Sequence, residues 1–422
     1  MEATHLTDLD EIRRMTAEKA EAECTEFNPE VEANGGNGGN GHDQEWTGTT
    51  TDLDPLSFPP IMGGVAGEFA DLYASVLETP RHFLFISFLT CLGSVLSNVL
   101  SLASELHTQA RLYVLLLGES ADDRKSTAIN KAVDFFSEAL TDFRVCWGVG
   151  SAEGLQKRME DGGCLLLCLD EFKSFVSKCK IESSVLLPCV NTLFESNRYE
   201  SHTKTTAIKL ENAFLSLLAA STVQVYERTW DASFTDIGFN NRLFLVPGSG
   251  QRMFAFPPKV PFQEKIILKS RLGKLLEFVG PRLEMGITPE AKALYENWYF
   301  NLERSVHSKR LDGYALRFMG LLAVNEFQRE ITPDTVRKAT ALMNWQLKVR
   351  KFHDPIDADS ATAKMEEKIR RVLAEGPRSD RELKQRTHAR RAGLWIYEAA
   401  RRNLERGKEI SWDRKKKFYE KV

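Results

Sequence analysis

Along this chain, apolar residues come in two rhythms that take turns. Leu112–Leu117 is an unbroken apolar run that reaches Gly118; a polar loop follows, and AINKAVDFF then places apolar residues at helical spacing. A short continuous apolar run is expected of a strand buried on both faces of a parallel sheet. The same rhythm recurs downstream. FRVCWGVGS reads as a second strand, and Ser151 is placed to cap a short helix over AEGLQKRMEDG. Leu165–Leu169 forms a third run, ending in Asp170-Glu171, and Phe214–Ala220 a fourth, ending in Ser221-Thr222. Leu243–Val246 forms a fifth. Between the third and fourth runs, 181–200 reads as helical, and Tyr199–Leu210 alternates like a hairpin with Lys204 at its tip. Two helical patterns, about 66–78 and 82–103, precede the first strand. After residue 261 the pattern turns helical, with helices expected near 289–305, 311–328 and 333–351. Thr288-Pro289 and Thr332-Pro333 supply the N-cap and first-turn proline for two of them. Residues 364–422 read as three helices and a hairpin.

Strands alternating with helices predict an α/β fold with a mostly parallel sheet. The expected organisation is an acidic, disordered tail (1–55) with one short helix near Leu9–Cys24, then an α/β core with leading helices (56–260). A helical lid (261–355) and a C-terminal module (364–422) complete it. Charge sharpens the picture. The net charge is only −3, yet residues 1–55 carry 14 acids and 3 bases, while residues 361–422 carry 19 bases and 10 acids. A basic module on a near-neutral body points to a polyanionic partner. The 7 cysteines lack any C-x-x-C pair, which argues against a zinc site or disulfide framework and for a reduced, cytoplasmic protein. His82–Ser104 contains no Asp, Glu, Lys or Arg, but its serines, glycine and asparagine predict a buried helix and no membrane span.

Strand, polar loop, Lys125-Ser126 and helix is the order of a P-loop, in which backbone N–H groups and the helix N-terminus cradle the phosphates of ATP. Gly118, Arg124, Lys125, Ser126 and Thr127 are the candidate nucleotide-binding residues. Arg124 stands where glycine is usual, and Gly118 lies one residue further from the lysine than the pattern asks. An ordinary strand–turn–helix is the competing reading. The second signal is the Walker B pattern, an apolar strand running into Asp170-Glu171. Asp170 and the Ser126 hydroxyl would hold Mg²⁺, and Glu171 would polarise the attacking water. In the C-terminal module the pattern resembles a winged helix. Leu394, Ile396, Ala400 and Leu404 would pack inward. Arg390 and Arg391 would approach the major groove at the third helix, with Arg386 and His388 nearby, and Arg414, Lys415 and Lys416 on the wing would meet phosphates.

The succession GESADDRKST, GSAEGL, LLLCLDEF, SLLAAST, GFNNRLFLV and DGYALRFMGLLAV resembles the P-loop ATPases of phages and integrated mobile elements that often accompany primase domains. The resemblance spans about 55–355. The pattern is also similar to minichromosome-maintenance-type AAA+ helicases. That similarity implies Ser221 at the sensor 1 position, Arg242 as an arginine finger, and Arg317 as the sensor 2 arginine of the lid. It also implies that the 199–210 hairpin carries Lys204 into a DNA channel. The expected function is an ATP- and Mg²⁺-dependent DNA motor, a replicative helicase or initiator, acting as a homo-oligomeric ring with a hexamer as one candidate size. A separate primase or initiator protein would partner it. Two other expectations compete: a DNA-bound ATP switch without unwinding, such as a transposition regulator or defence ATPase, and a non-hydrolysing DNA scaffold.

Overall fold

The computed structural model describes residues 56–106, 108–119, 123–202, 207–229, 238–250, 252–353, 361–413 and 416–422. The expected acidic tail, Lys204, Arg414 and Lys415 lie outside the described residues. Leu53–Val422 forms one compact unit.

The chain enters through α1 (Gly64–Ala74) and α2 (Arg81–Leu96). After Arg81 at its start α2 carries no charge and is almost entirely buried, and among the described residues no helix is long and apolar enough to cross a membrane. The expected extension of this helix to 103 does not occur. Ser97 turns its hydroxyl back onto the Gly93 carbonyl at 2.5 Å, and the chain leaves as β1 (Leu100–Leu102). Ser and Asn at such a point compete for backbone hydrogen bonds and favour helix ends.

The expected strands then appear. They are β2 (Tyr113–Gly118), β3 (Val145–Trp147) and β4 (Gly163–Leu169), with α3 (Lys125–Ala139) and α4 (Ala152–Met159) between them. Ser151 caps α4 by accepting from the Gly154 N–H at 3.2 Å. After β4 come α5 (Phe172–Cys179) and α6 (Leu186–Leu193), so only part of 181–200 is helical. The hairpin is formed by β5 (Tyr199–His202) and β6 (Ala207–Leu210), paired antiparallel. Then follow β7 (Ala213–Thr222), α7 (Val223–Thr229) and β8 (Phe244–Pro247).

The order of the main sheet is β3-β4-β7-β2-β8, with every pair parallel. Its central strands β2 and β7 are buried nearly end to end, which explains why they read as apolar runs without alternation. Register is set by these runs: Leu115 lies level with Ala219 of β7 and Leu245 of β8, and Ala219 level with Leu169 of β4.

The C-terminal half brings α8 (Phe262–Val279), β9 (Leu283–Ile287), α9 (Pro289–Asn301), α10 (Leu311–Asn325), β10 (Glu330–Ile331) and α11 (Pro333–Phe352). Thr288 and Thr332 both cap as their Thr-Pro pairs predict. β9 was hidden in the helical reading; it pairs in parallel with both β1 and β10, making a small second sheet. One apolar core runs without a break from Ile61 to Val349, crossing residue 260.

Beyond residue 360, α12 (Ala361–Ala374), α13 (Asp380–Arg386), α14 (Ala389–Ala392) and α15 (Leu394–Arg406) precede a hairpin of β11 (Ile410–Asp413) and β12 (Phe418–Lys421). This module has its own core, including Ile369, Leu383, Tyr397 and Tyr419. Ile396, Ala400 and Leu404 point inward, but Leu394 is 48% exposed. The helix starts at Leu394 itself, and Tyr397 takes the inward place, with its hydroxyl donating to Asp380 at 2.9 Å.

Candidate functional site

The carboxyl ends of β2, β7 and β4 gather most of the expected site. β2 ends at Gly118, and α3 begins directly at Lys125. Of the loop between them, Ser120, Ala121 and Asp122 lie outside the described residues. Arg124 meets the glycine requirement in an unexpected way. It adopts φ +50 and ψ 31, the left-handed region that a glycine would normally occupy. Its side chain holds it there: the guanidinium pairs with Glu78 at 2.7 Å. Glu78 also accepts from the Met253 and Phe254 N–H groups at 2.8 and 3.0 Å. Its carboxyl is held low, at about 2, chiefly by the Arg124 hydrogen bond and then by those two amides.

Asp123 closes the loop from inside. It is 2% exposed, accepts from the Glu119 N–H, and accepts from the Gly250 N–H at 2.8 Å. Gly118 is needed for this packing, because a Cβ there would come within 2.7 Å of an Asp123 carboxylate oxygen. Lys125, at 8% exposure, donates Nζ to the Glu119 carbonyl oxygen. Burial pushes its ammonium below the ordinary lysine value, while Asp123 and Asp170 oppose the shift. Ser126 and Thr127 follow in the first turn of α3.

Asp170 and Glu171 are both exposed at the end of β4, and Glu171 opens α5 as its N-cap residue. Ser221 lies between them and the loop: the last residue but one of β7, it is level with Leu117 and 6% exposed, with its hydroxyl donating to the Thr222 carbonyl at 3.1 Å. With one strand between β2 and β4, their axes are about 10 Å apart, close enough for Lys125 and Asp170 to sense each other's charge. The oxygen donors Ser126 and Asp170 suit a hard divalent cation. Among the described residues no cluster of three or more metal-ligating side chains exists, so a cation here would take its remaining ligands from elsewhere.

Two expected site residues lie elsewhere. Arg242 sits in a single 3-10 turn just before β8, beside the start of β2. That end is about 17 Å along β2 from Gly118. One Nη of Arg242 donates to the Gly238 carbonyl at 2.9 Å, its Nε is buried without a partner, and burial lowers its pKa. Arg317, expected as the sensor 2 arginine, also lies away from Lys125 within the chain. It too lies at the starting end of β2, donating to the Arg111 and Phe194 carbonyls at 2.7 and 2.9 Å and stacking over the Phe194 ring. Desolvation brings its guanidinium down to about 10. The apolar spacing of α10 turns this arginine into the fold, where two backbone carbonyls accept from it.

In the C-terminal module, Arg390 is exposed and Lys416 sits in the hairpin turn, its N–H donating to Asp413 at 3.1 Å. Arg386 pairs with Glu375 at 2.6 Å, inside the module. Arg391 is not left free for a groove: it pairs with Glu119, in the loop before Lys125. Glu78, Asp123 and the Glu119–Arg391 pair escaped sequence reading. Asp123 could be seen in the loop but carries no pattern, and the other two depend on contacts between distant segments.

In comparisons with known proteins, no family model matches the chain, and no curated protein matches it significantly.

Proposed function

We propose that the chain is an ATP-hydrolysing, DNA-associated motor with an AAA+-like P-loop core, acting as a replicative helicase or initiator of a phage or mobile element. The observation that carries the proposal is the meeting, at one end of a parallel sheet, of Lys125 at a helix start with Asp170-Glu171 across the Ser221 strand. In this reading, residues 261–355 serve as the lid and the C-terminal module is a winged helix.

Lys125 Nζ leaves the Glu119 carbonyl and pairs with phosphate oxygens, while the free N–H groups at the start of α3 donate to the same anion. Glu171 orients water by accepting its proton-side hydrogen bond. Ser126 and Asp170 hold Mg²⁺, which supplies charge neutralisation when bound. Arg242 is too far from its own Lys125 to touch the same phosphate, so it serves a neighbouring chain, and hydrolysis depends on a homo-oligomeric ring. A DNA-bound ATP switch shares all of this chemistry; the contact of Arg391 with the loop favours it over the scaffold reading, since it ties the DNA-facing module to the nucleotide site.

The test is ATP turnover with and without single-stranded and forked duplex DNA, together with the mass of the assembly. Lys125→Ala is expected to abolish ATP binding. Glu171→Gln is expected to keep binding and lose turnover by about a hundredfold or more. Wild-type turnover in Glu171→Gln would refute the assignment, and stimulated turnover without strand separation would select the switch.

A further inference from the structure

An open cleft of about 740 Å³ lies between the last turn of α9, the connection to α10, and Phe194 just after α6. It is at the end of the main sheet away from Lys125: Arg317, which lines it, donates to the Arg111 carbonyl just before β2. Two aromatic rings stand at this cleft. Tyr299 is 46% exposed and Phe300 79%, with ring centroids 5.4 Å apart and planes at 75°. The sequence here is ENWYFN, and the helix divides its rings by face. Trp298 is half-buried, stacked on Tyr295, and its Nε1 donates to Asn344 at 2.9 Å. The next two rings turn out to solvent. One exposed ring means little, but two adjoining rings at the mouth of a cleft mark a contact site.

The walls are braced and basic. Arg350 of α11 donates to the His307 and Lys309 carbonyls at 3.0 and 2.8 Å, and the Ser305 and Ser308 hydroxyls each accept from the other's N–H at 3.2 and 3.0 Å. These bonds fix the shape of the connection before any ligand arrives, which spares the ordering cost of binding. Phe194, 2% exposed, forms the floor, with the Arg317 guanidinium 4.0 Å over its ring. Among the described residues the lining carries four bases, Arg304, Lys309, Arg310 and Arg317, against three acids, Glu195, Glu303 and Asp312. Glu303 is already taken by Lys351 at 2.7 Å. Arg304 and Lys309 are exposed and make no ion pair with a described residue. The surplus at the mouth is therefore positive, beside two free ring faces.

We propose that this cleft binds single-stranded nucleic acid, with Phe300 and Tyr299 stacking on unpaired bases and Arg304 and Lys309 pairing with the phosphates between them. It rests on the DNA-associated part of the reading above and adds the form of strand and the face that takes it. A duplex keeps its base faces inside the stack and offers rings only at its ends, whereas every base of a single strand has a face to give. Bases spaced along a groove hold the backbone without reading sequence, and exposed rings supply the stacking platform. The cleft is separate from the C-terminal module and from the hairpin of β5 and β6, the two elements from which DNA contacts were expected.

The experiment measures binding of the full-length protein to an oligothymidylate of about 20 nucleotides, longer than one such site needs, and to a blunt duplex of the same length, each as a function of salt. Oligouridylate is the second single-strand arm, because DNA and RNA strands share this chemistry; the tighter arm names the natural strand. Phe300→Ala removes a ring that is mostly in solvent, so the fold should tolerate it. It is expected to weaken single-strand binding about tenfold, the loss of one stacked base, and to leave duplex binding unchanged. Phe300→Trp is expected to restore single-strand affinity. Arg304→Gln and Lys309→Gln should each flatten the log–log salt slope of single-strand binding by about 0.7, one phosphate contact.

Wild-type single-strand affinity in Phe300→Ala overturns the proposal, as does an equal loss on single strand and duplex. A lower mass of the assembly in Phe300→Ala, with strand affinity per chain unchanged, assigns the rings to a contact between copies and also overturns it. The ATPase reading is judged separately. If wild type turns over ATP no faster than Lys125→Ala, that reading fails, and the single-strand measurements still decide the cleft. If turnover depends on Lys125 while Phe300→Ala binds both nucleic acids like the wild type, the cleft fails and the ATPase reading stands.

Discussion

A single arginine shows how a sequence rule can be satisfied by an unexpected residue. Arg124 occupies a left-handed backbone position that glycine adopts at little cost, and it is held there by Glu78. Arg124→Gly therefore relieves strain while losing the ion pair, whereas Arg124→Ala keeps the strain and loses the pair. The glycine variant is expected to be more stable than the alanine variant by about 1 kcal/mol, measured by urea denaturation; the reverse order would show that the backbone conformation is not strained. Gly118 makes the opposite point. Its missing Cβ leaves room for Asp123, so Gly118→Ala should cost about 1–3 kcal/mol through overpacking and weaken nucleotide binding with it. The glycine was readable as part of a motif. Its neighbour Asp123 was not, because an acid inside a polar loop has no periodicity to mark it.

Among the elements, those with strong and unbroken patterns were legible. β2, β4 and β7 could be read because burial on both faces leaves nearly continuous apolar runs, but their order in the sheet carried no sequence signal and is set by the pairing of distant segments. β9 was not legible: LEMGI is too short and too mixed to be told from the helices around it, and its partners lie far away in sequence. α10 was placed correctly, but the face that Arg317 occupies was decided by packing. Because Arg317 bonds two backbone carbonyls in a buried setting, Arg317→Ala leaves both without a donor. It is expected to cost about 2–4 kcal/mol of stability, seen as a lowered denaturation midpoint. Arg317→Lys should recover only part of this, since an ammonium lacks the planar fork that spans the two carbonyls. A stable Arg317→Ala protein that loses only ATP turnover would instead restore its expected sensor role.

For the molecule as a whole, buried histidines set the response to acid. Burial holds His353 at about 3, far below the ordinary 6.5, and it lowers His82 and His388 as well. A lowered histidine stays neutral in the fold, so the unfolded chain takes up the proton first. Stability is fully present above pH 6.5 and falls as the pH drops from there towards 3. At pH 5.5 His353 alone should cost about 1.4 kcal/mol. Comparing denaturation at pH 7.5 and 5.5, His353→Leu should lose that much less than the wild type; an equal loss in both would assign the acid response to other groups. At the same scale, mixing Arg242→Ala with Lys125→Ala chains should restore part of the turnover that each lacks alone, because a heterologous interface joins the intact half of one to the intact half of the other.

That last expectation rests on β2, which leads at one end into the loop before Lys125 and starts at the other beside Arg242. A strand is already extended and, buried on both sides, has little room to lengthen, so it acts as a length standard between Gly118 and the neighbourhood of Arg242. Inserting one residue would lengthen that spacing by about 3.3 Å and turn the side chains beyond it to the opposite face of the sheet. If Arg242 serves a neighbouring chain as proposed, the spacing of successive sites is written into the six residues of this strand.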